Sequence, residues 1–277
     1  MIRCAHVRGY AIFVVLCALA APARAQVGPR AGGPAPSDVA GTTAAVDASL
    51  TGNLARGLVD RDLISARGSF ALWHGPWGLW VQPYYLYGDV KLSDALPRTQ
   101  TDDERYLRIN AFRVLSRPLF AWVAAVFDHS LRRRIGERAL VGAGAGATLV
   151  DRKHVTFVAS LGVLGEDAHF DSNTLPDMTI VPPSTRDVAR MSLRLYGRYS
   201  LACGRVALIH DLFVMPNVQD LGDARVMLSG VVEVPIVAGF AARAQIDASY
   251  EGVIVLGTKH DDVALTFGAS YRGDWKL

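Results

Sequence analysis

Apolar and polar residues alternate one by one through long stretches of the chain, most clearly in its carboxyl-terminal half. Met191, Leu193, Leu195, Gly197, Tyr199 and Leu201 fall on one parity, and Arg190, Ser192, Arg194, Tyr196, Arg198 and Ser200 on the other. Phe240, Ala242, Ala244, Ile246, Ala248 and Tyr250 alternate in the same way with Ala241, Arg243, Gln245, Asp247, Ser249 and Glu251. Val263, Leu265, Phe267, Ala269 and Tyr271 do so with Asp262, Ala264, Thr266, Gly268, Ser270 and Arg272. A period of two sends successive side chains to opposite faces of a strand, so each run predicts a strand with one apolar and one charged face. Weaker alternation sets Val46, Ala48 and Leu50 against Asp47, Ser49 and Thr51, and Leu107, Ile109 and Ala111 against Arg108 and Asn110. The whole pattern predicts about twelve strands, near 42–52, 63–73, 78–89, 105–115, 119–128, 139–150, 154–165, 187–201, 205–213, 223–234, 239–250 and 261–275. At about ten residues or more they exceed the common strand length and suit a tilted crossing of a bilayer.

Short and long connections alternate between these strands. His74-Gly75-Pro76-Trp77, Ser116-Arg117-Pro118, Asp151-Arg152-Lys153, Ala202-Cys203-Gly204 and the Pro235 to Ala238 segment carry the Gly, Pro and Asp of tight turns. Val90 to Glu104 and Glu166 to Arg186 are longer. This is the order expected of a closed antiparallel transmembrane β-barrel, with short periplasmic turns on one rim and longer extracellular loops on the other. An even strand count puts both ends of the barrel on the short-turn rim.

A soluble barrel or sandwich would alternate too, so the polar face decides. A soluble exterior is rich in Lys and Glu. Here the polar face holds Arg, Asp, Glu, Ser, Thr and Gln, and lysine is nearly absent from the regular runs. Arginine opposite carboxylate suits an enclosed lumen, because the planar guanidinium pairs with several acceptors at once.

Ahead of the strands, residues 1–25 combine basic Arg3 and Arg8, an apolar run from Tyr10 to Ala21 and the small-residue ending Ala23-Arg24-Ala25. That order predicts a secretion signal cleaved after Ala25, with 26–41 a flexible leader rich in Pro, Gly and Ala and 42–277 the barrel. The 277-residue chain has 29 basic and 26 acidic residues. The excess equals Arg3, Arg8 and Arg24, so the exported chain is balanced and carries no electrostatic footprint for nucleic acid. Cys203 is the single cysteine after the signal, so no intramolecular disulfide is expected there.

Candidate functional residues follow from the polar parity. Asp47, Arg67, Arg108, Arg190, Arg194, Arg198, Arg225, Glu233, Arg243, Asp247, Glu251 and Arg272 are expected to face the lumen. Two readings stand. The arginines, with Arg190, Arg194 and Arg198 in one line, make an anion-favouring pore; or they pair with Asp47, Glu233, Asp247, Glu251 and Asp262 in a network that fills the lumen. Trp73, Trp77, Trp80, Tyr84, Tyr85, Tyr271 and Trp275 are expected in the membrane-interface belts, where amphipathic rings settle. Gly142, Gly144 and Gly146 are expected to make room for long lumenal arginines or to allow curvature.

The competing enzyme class has His210-Asp211 and His260-Asp261-Asp262 as candidates, without a serine in a recognisable lipase motif. No catalytic residue, metal site or cofactor is assigned. A soluble exported barrel that holds a small ligand is the third class. Thr101-Asp102-Asp103-Glu104 and Asp220 to Asp223 are acidic loops that could hold calcium weakly or be simply solvated.

Val46-Asp47-Ala48-Ser49-Leu50-Thr51-Gly52-Asn53 resembles the opening strand signature of the YdiY-like salt-induced outer-membrane proteins, a family named for domain of unknown function 481. The similarity continues as a strand and turn pattern across 42–277, including Arg138 to Gly146. The family usually ends in an aromatic residue, whereas this chain ends Trp275-Lys276-Leu277. The resemblance implies a Gram-negative outer-membrane barrel and supplies no catalytic residues. The partners expected with it are the lipid bilayer, lipopolysaccharide and the barrel-assembly machinery, around a monomer.

Overall fold

The computed structural model describes residues 41–55, 60–92, 96–171, 185–255 and 258–277, the side chain of Cys203 aside. The expected secretion signal at 1–25 and the leader at 26–41, except Gly41, lie outside the described residues.

Twelve strands follow one another: β1 (Thr42–Ala55), β2 (Asp60–His74), β3 (Trp77–Lys91), β4 (Thr99–Val114), β5 (Leu119–Ser130), β6 (Ile135–Arg152), β7 (Val155–Phe170), β8 (Thr185–Leu201), β9 (Val206–Pro216), β10 (Ala224–Val237), β11 (Phe240–Glu251) and β12 (Asp261–Lys276). Each pairs antiparallel with the next, and β12 returns to β1 from Thr43 opposite Lys276 to Gly52 opposite Phe267, closing the barrel. Closure leaves no strand edge exposed.

All five segments expected as tight turns lie on one rim together with the ends of the barrel. Three connections there are the two-residue turns 75–76, 153–154 and 238–239, and the others are 115–118 and 202–205. Left-handed backbone is taken by Gly75 (φ 53°), Gly204 (φ 92°) and Gly239 (φ 87°), the conformation glycine adopts most readily. The opposite rim has the longer connections 92–98, 171–184, 217–223 and 252–260, but also 131–134. That last one is shorter than expected, because β5 and β6 extend past their apolar residues.

The two faces are inverted relative to a soluble protein. Leu50, Val123, Val141, Leu161, Val163, Val263 and Phe267 point outward and are among the most exposed large apolar side chains. Arg138, Arg190, Arg194, Arg225, Glu166 and Glu233 are buried inside. Such a surface is stable against lipid and unstable against water.

Three aromatic assignments are corrected. Trp73 (4% exposed) and Trp80 (3%) are buried in the lumen, and Tyr84 lines the lumenal cavity. The cause is parity: Trp77 and Trp80 are three residues apart on β3, and Tyr84 and Tyr85 are adjacent, so each pair must divide between the faces. Trp77, Tyr85, Tyr271 and Trp275 point outward and are exposed.

Trp73 and Trp80 join Phe112, Phe120, Trp122, Tyr196, Leu140, Leu164 and Met215 in an apolar cluster. The glycine run therefore serves aromatic rings and not arginines. A side-chain carbon at Gly144 or Gly162 would strike the Trp122 ring, and one at Gly146 the Phe120 ring.

Candidate functional site in the barrel lumen

Ion pairs cross the lumen in tiers, each side chain aimed by the inward parity of its strand. In the tier nearest the longer loops, Arg190 Nε and Nη2 donate to Glu166 at 2.7 and 3.2 Å, and Nη2 donates also to Asp223 at 3.2 Å. Arg225 Nε donates to both Glu251 oxygens at 2.9 Å, and its Nη2 to Glu166 at 3.1 Å. Arg138 joins Asp128 at 3.0 Å through Nε and Glu251 at 3.1 Å through Nη1. Two carboxylates, Glu166 and Glu251, thus tie β6, β7, β8, β10 and β11 together.

This tier is closed over by the 131–134 turn. Arg132 forms ion pairs with Asp262 on β12 and with Asp102 on β4, the latter at 3.3 Å. Arg133 Nη2 donates to Ser249 at 2.9 Å, and its Nη1 lies 3.4 Å from Glu251. A turn on the β5–β6 side is thereby fastened to the far wall.

Midway, Arg194 clasps Asp211 in a two-bond pair of 2.7 and 2.8 Å and lies 4.9 Å from the Trp80 ring centre. Arg67 Nη2 donates to Asp247 at 3.2 Å, and its guanidinium sits over Tyr84. Toward the short-turn rim, Arg272 Nη2 donates to Asp47 at 2.6 Å and lies 3.5 Å from Glu233. Arg243 Nη1 donates to Glu233 at 3.1 Å and its Nε to Gln245 at 3.0 Å.

Of the charged residues expected to be lumenal, Arg108, Arg190, Arg194, Arg225, Glu233, Arg243 and Glu251 are buried, and Asp47, Arg67, Arg198, Asp247 and Arg272 line the cavity. Two of the arginines differ from the rest: among the described residues no carboxylate lies within ion-pair distance of Arg108 or Arg198. Arg108 Nε donates to Asn110 at 3.2 Å, and its guanidinium covers the Phe213 ring at 4.2 Å.

Sequence reasoning missed the partners Glu166, Asp128, Glu104, Asp211 and Asp223. Glu166 stood just past the expected strand end at 165, although it shares its parity with Thr156 and Val158 on β7. Asp102, Glu104 and Asp223, taken as loop acids, are buried: Asp102 pairs with Arg61 and Arg132, Glu104 accepts from Ser130 at 2.6 Å, and Asp223 pairs with Arg186. Among the described residues no group of three metal-ligating side chains is present.

Among the described residues, the lumenal packing leaves a cavity of about 220 Å³ between the Asp47, Arg198 and Arg272 level and the Arg132 and Asp262 level. Tyr84, Tyr106, Arg108, Phe213 and Asp247 lie along its wall.

The histidine candidates do not assemble a catalytic pair. His210 and Asp211 are neighbours on β9 and point to opposite faces. Asp211 is held by Arg194 in the lumen, while His210 lies outside against Tyr199 and Phe157, with ring centres 5.7 and 6.1 Å away. His260 Nδ1 lies 2.7 Å from the Glu251 carbonyl, and its ring stacks on Tyr250.

A closed antiparallel barrel with an apolar exterior and a charged interior crossed by ion pairs defines the class: a β-barrel built for a membrane. Residues 48–272 match the profile of "Protein of unknown function, DUF481", and the chain belongs to that family. No curated protein matches it.

Among solved structures, the chain is similar to a NanC porin at 8% identity and TM-score 0.47, over 82% of this chain and 98% of that one. It is similar to the COG4313 outer membrane channel from Pseudomonas putida F1 at 16% identity and TM-score 0.42, over 87% and 99%. It is similar also to the translocator domain of autotransporter NalP from Neisseria meningitidis at 9% identity and TM-score 0.41, over 84% and 89%.

Proposed function

We propose that the protein is a monomeric barrel of the Gram-negative outer membrane, held closed at rest, that passes small anionic solutes when its lumenal network rearranges. The observation that carries this reading is what does the closing. Among the described residues, the cavity along the lumen ends at side chains, Arg132 with Asp262 on one side and Arg272 with Asp47 on the other, and no backbone segment crosses it. Side-chain pairs move on faster scales and at lower cost than strands. Arg108 and Arg198, which line the cavity without a carboxylate partner among the described residues, favour anions there. The bilayer and lipopolysaccharide are its surroundings and the barrel-assembly machinery its route there. Its envelope role is structural or stress-associated, with conduction conditional.

A barrel hydrolase is the competing class. The divergence of His210 and Asp211 counts against it, as does the anchoring of His260 to backbone.

Planar-bilayer recording of the reconstituted chain tests this reading, with insertion checked by protease protection. Rare, brief, anion-selective openings are expected. A steady open conductance would show that the network does not occlude the lumen, and silence of verified insertions under every salt and voltage would leave a purely structural barrel.

A further inference from the structure

We propose that the lumenal cavity is a binding site for a small organic oxyanion, a carboxylate on a ring-sized apolar body, with Arg108 as its anchor. This deepens the channel reading by naming the solute class, but binding itself needs no conduction.

Charge is the first argument. Eight arginines and six carboxylates line the cavity. Two of those carboxylates, Asp211 and Asp128, are held by Arg194 and Arg138, which stand outside the lining. Lining arginines are held in turn by carboxylates outside the lining, Arg132 by Asp102, Arg133 by Glu251 and Arg243 by Glu233, so the pairs balance and the uncompensated charge facing the cavity is that of Arg108 and Arg198.

The second argument is an unmatched cation. Arg108 is 8% exposed and has no carboxylate partner among the described residues. Its side-chain hydrogen bonds go to neutral groups in the wall, from Nε to Asn110 at 3.2 Å and to Tyr106. Stacking on Phe213 and the distant Trp80 ring, 5.9 Å away, supports the guanidinium face and leaves its edge for an acceptor. A buried charge without a counterion is costly, and an incoming carboxylate, which fits the guanidinium fork with two parallel bonds, relieves that cost. Arg67 adds to the field, since its Nε is buried without an acceptor.

The third argument is shape. Trp80, Tyr84, Phe213, Ile209 and Met227 give the cavity an apolar and aromatic wall beside the cations. Its 220 Å³ corresponds to about seven waters of liquid volume, room for a single-ring acid. A small inorganic ion would leave that wall uncovered.

Titration calorimetry of the folded chain in detergent micelles tests the site, with sodium benzoate as probe and benzyl alcohol as its neutral counterpart. Saturable benzoate binding is expected, with benzyl alcohol at least tenfold weaker. Arg108→Gln should weaken benzoate at least tenfold in protein that keeps the heat-modifiable gel shift of a closed barrel. Absence of saturable binding, equal binding of the alcohol, or full affinity in folded Arg108→Gln would each overturn the proposal. If Arg108→Gln does not fold, the acid-to-alcohol comparison on the unaltered chain decides alone. Because the readout is heat in micelles, a chain that never conducts can still show the site, and a conducting chain can still lack it.

Discussion

Gly144 and Gly165 stand on neighbouring strands and differ in what surrounds them. A methyl group at Gly144 would meet the Leu161 carbonyl oxygen, the Gly162 Cα and the Trp122 ring, whereas one at Gly165 has only the Val141 carbonyl oxygen, 3.8 Å away. Two of the three obstacles at Gly144 are backbone and cannot rotate aside, so Gly144→Ala should force the β6–β7 ladder apart. We expect it to lower the unfolding temperature, read by the heat-modifiable gel shift, by an amount corresponding to roughly 1–3 kcal/mol of overpacking, while Gly165→Ala leaves it unchanged. Equal behaviour of the two variants would remove the close-approach role of the glycine run. Much at this scale was legible. Parity alone placed Asp47, Arg194, Arg243 and Arg272 inside. It also held the answer for the aromatics, since Trp80 and Tyr84 share the even parity of Gln82 and Leu86 on β3. Grouping Trp73, Trp77 and Trp80 by nearness to one turn overrode it. What no parity shows is partner choice: Asp211 belongs to Arg194, an adjacent strand's residue, and not to His210 beside it in sequence.

On the proposed channel reading, the turn between β5 and β6 is the element on which opening would depend. Its four residues, 131–134, span the shortest structurally described connection on the long-loop rim, and Arg134 takes a left-handed conformation of φ 54°. Leu131 N donates to the Asp103 carbonyl at 3.0 Å, and Arg134 N to that of Leu131 at 3.1 Å. This tight geometry folds Arg132 and Arg133 inward, toward Asp262 and Glu251. The Arg132 and Asp262 side chains keep 28% and 24% exposure, so salt screens this pair more than the buried ones below. Replacing both arginines, as Arg132→Gln with Arg133→Gln, should raise the frequency of channel openings at least tenfold without lowering the unfolding temperature greatly. Higher ionic strength should act in the same direction on the unaltered chain, beyond its effect on bulk conductivity. Openings as rare as in the unaltered chain would move the barrier down to the Arg190 and Glu166 tier. In sequence, Arg132-Arg133-Arg134 falls in the gap between the expected strands 119–128 and 139–150, because β5 and β6 continue beyond the apolar band. Past that band both faces are polar and the alternation fades. The same fading hid Glu166, one residue beyond the expected end of its strand.

Closure of twelve strands gives the whole molecule two unlike ends. The rim with the tight turns also holds Thr42 and Lys276, and the other holds the long connections and the arginine latch. In outer-membrane barrels the tight turns face the periplasm and the long loops the exterior, so the latch and the 217–223 connection are expected outside the cell. Sided labelling checks this. Cys203 is replaced by serine, and a single cysteine is set at Asp220 or Lys153, both exposed and on opposite rims. With a polymer-linked maleimide too large to cross the outer membrane, intact cells should label the Asp220→Cys chain, and the Lys153→Cys chain should react only after lysis. The reverse pattern would put the latch in the periplasm and make its arginines answer to periplasmic rather than external salt. Labelling of both in intact cells would mean that the chain does not span the membrane at all, and the apolar belt of Leu50, Val141, Leu161 and Val263 would then need another partner. The orientation matters to the anion site as well. With the latch outward, an external oxyanion meets Arg132 and Arg133 first and competes with Asp262 and Glu251 for them, so the solute that the cavity accepts would also loosen the contacts that keep it closed.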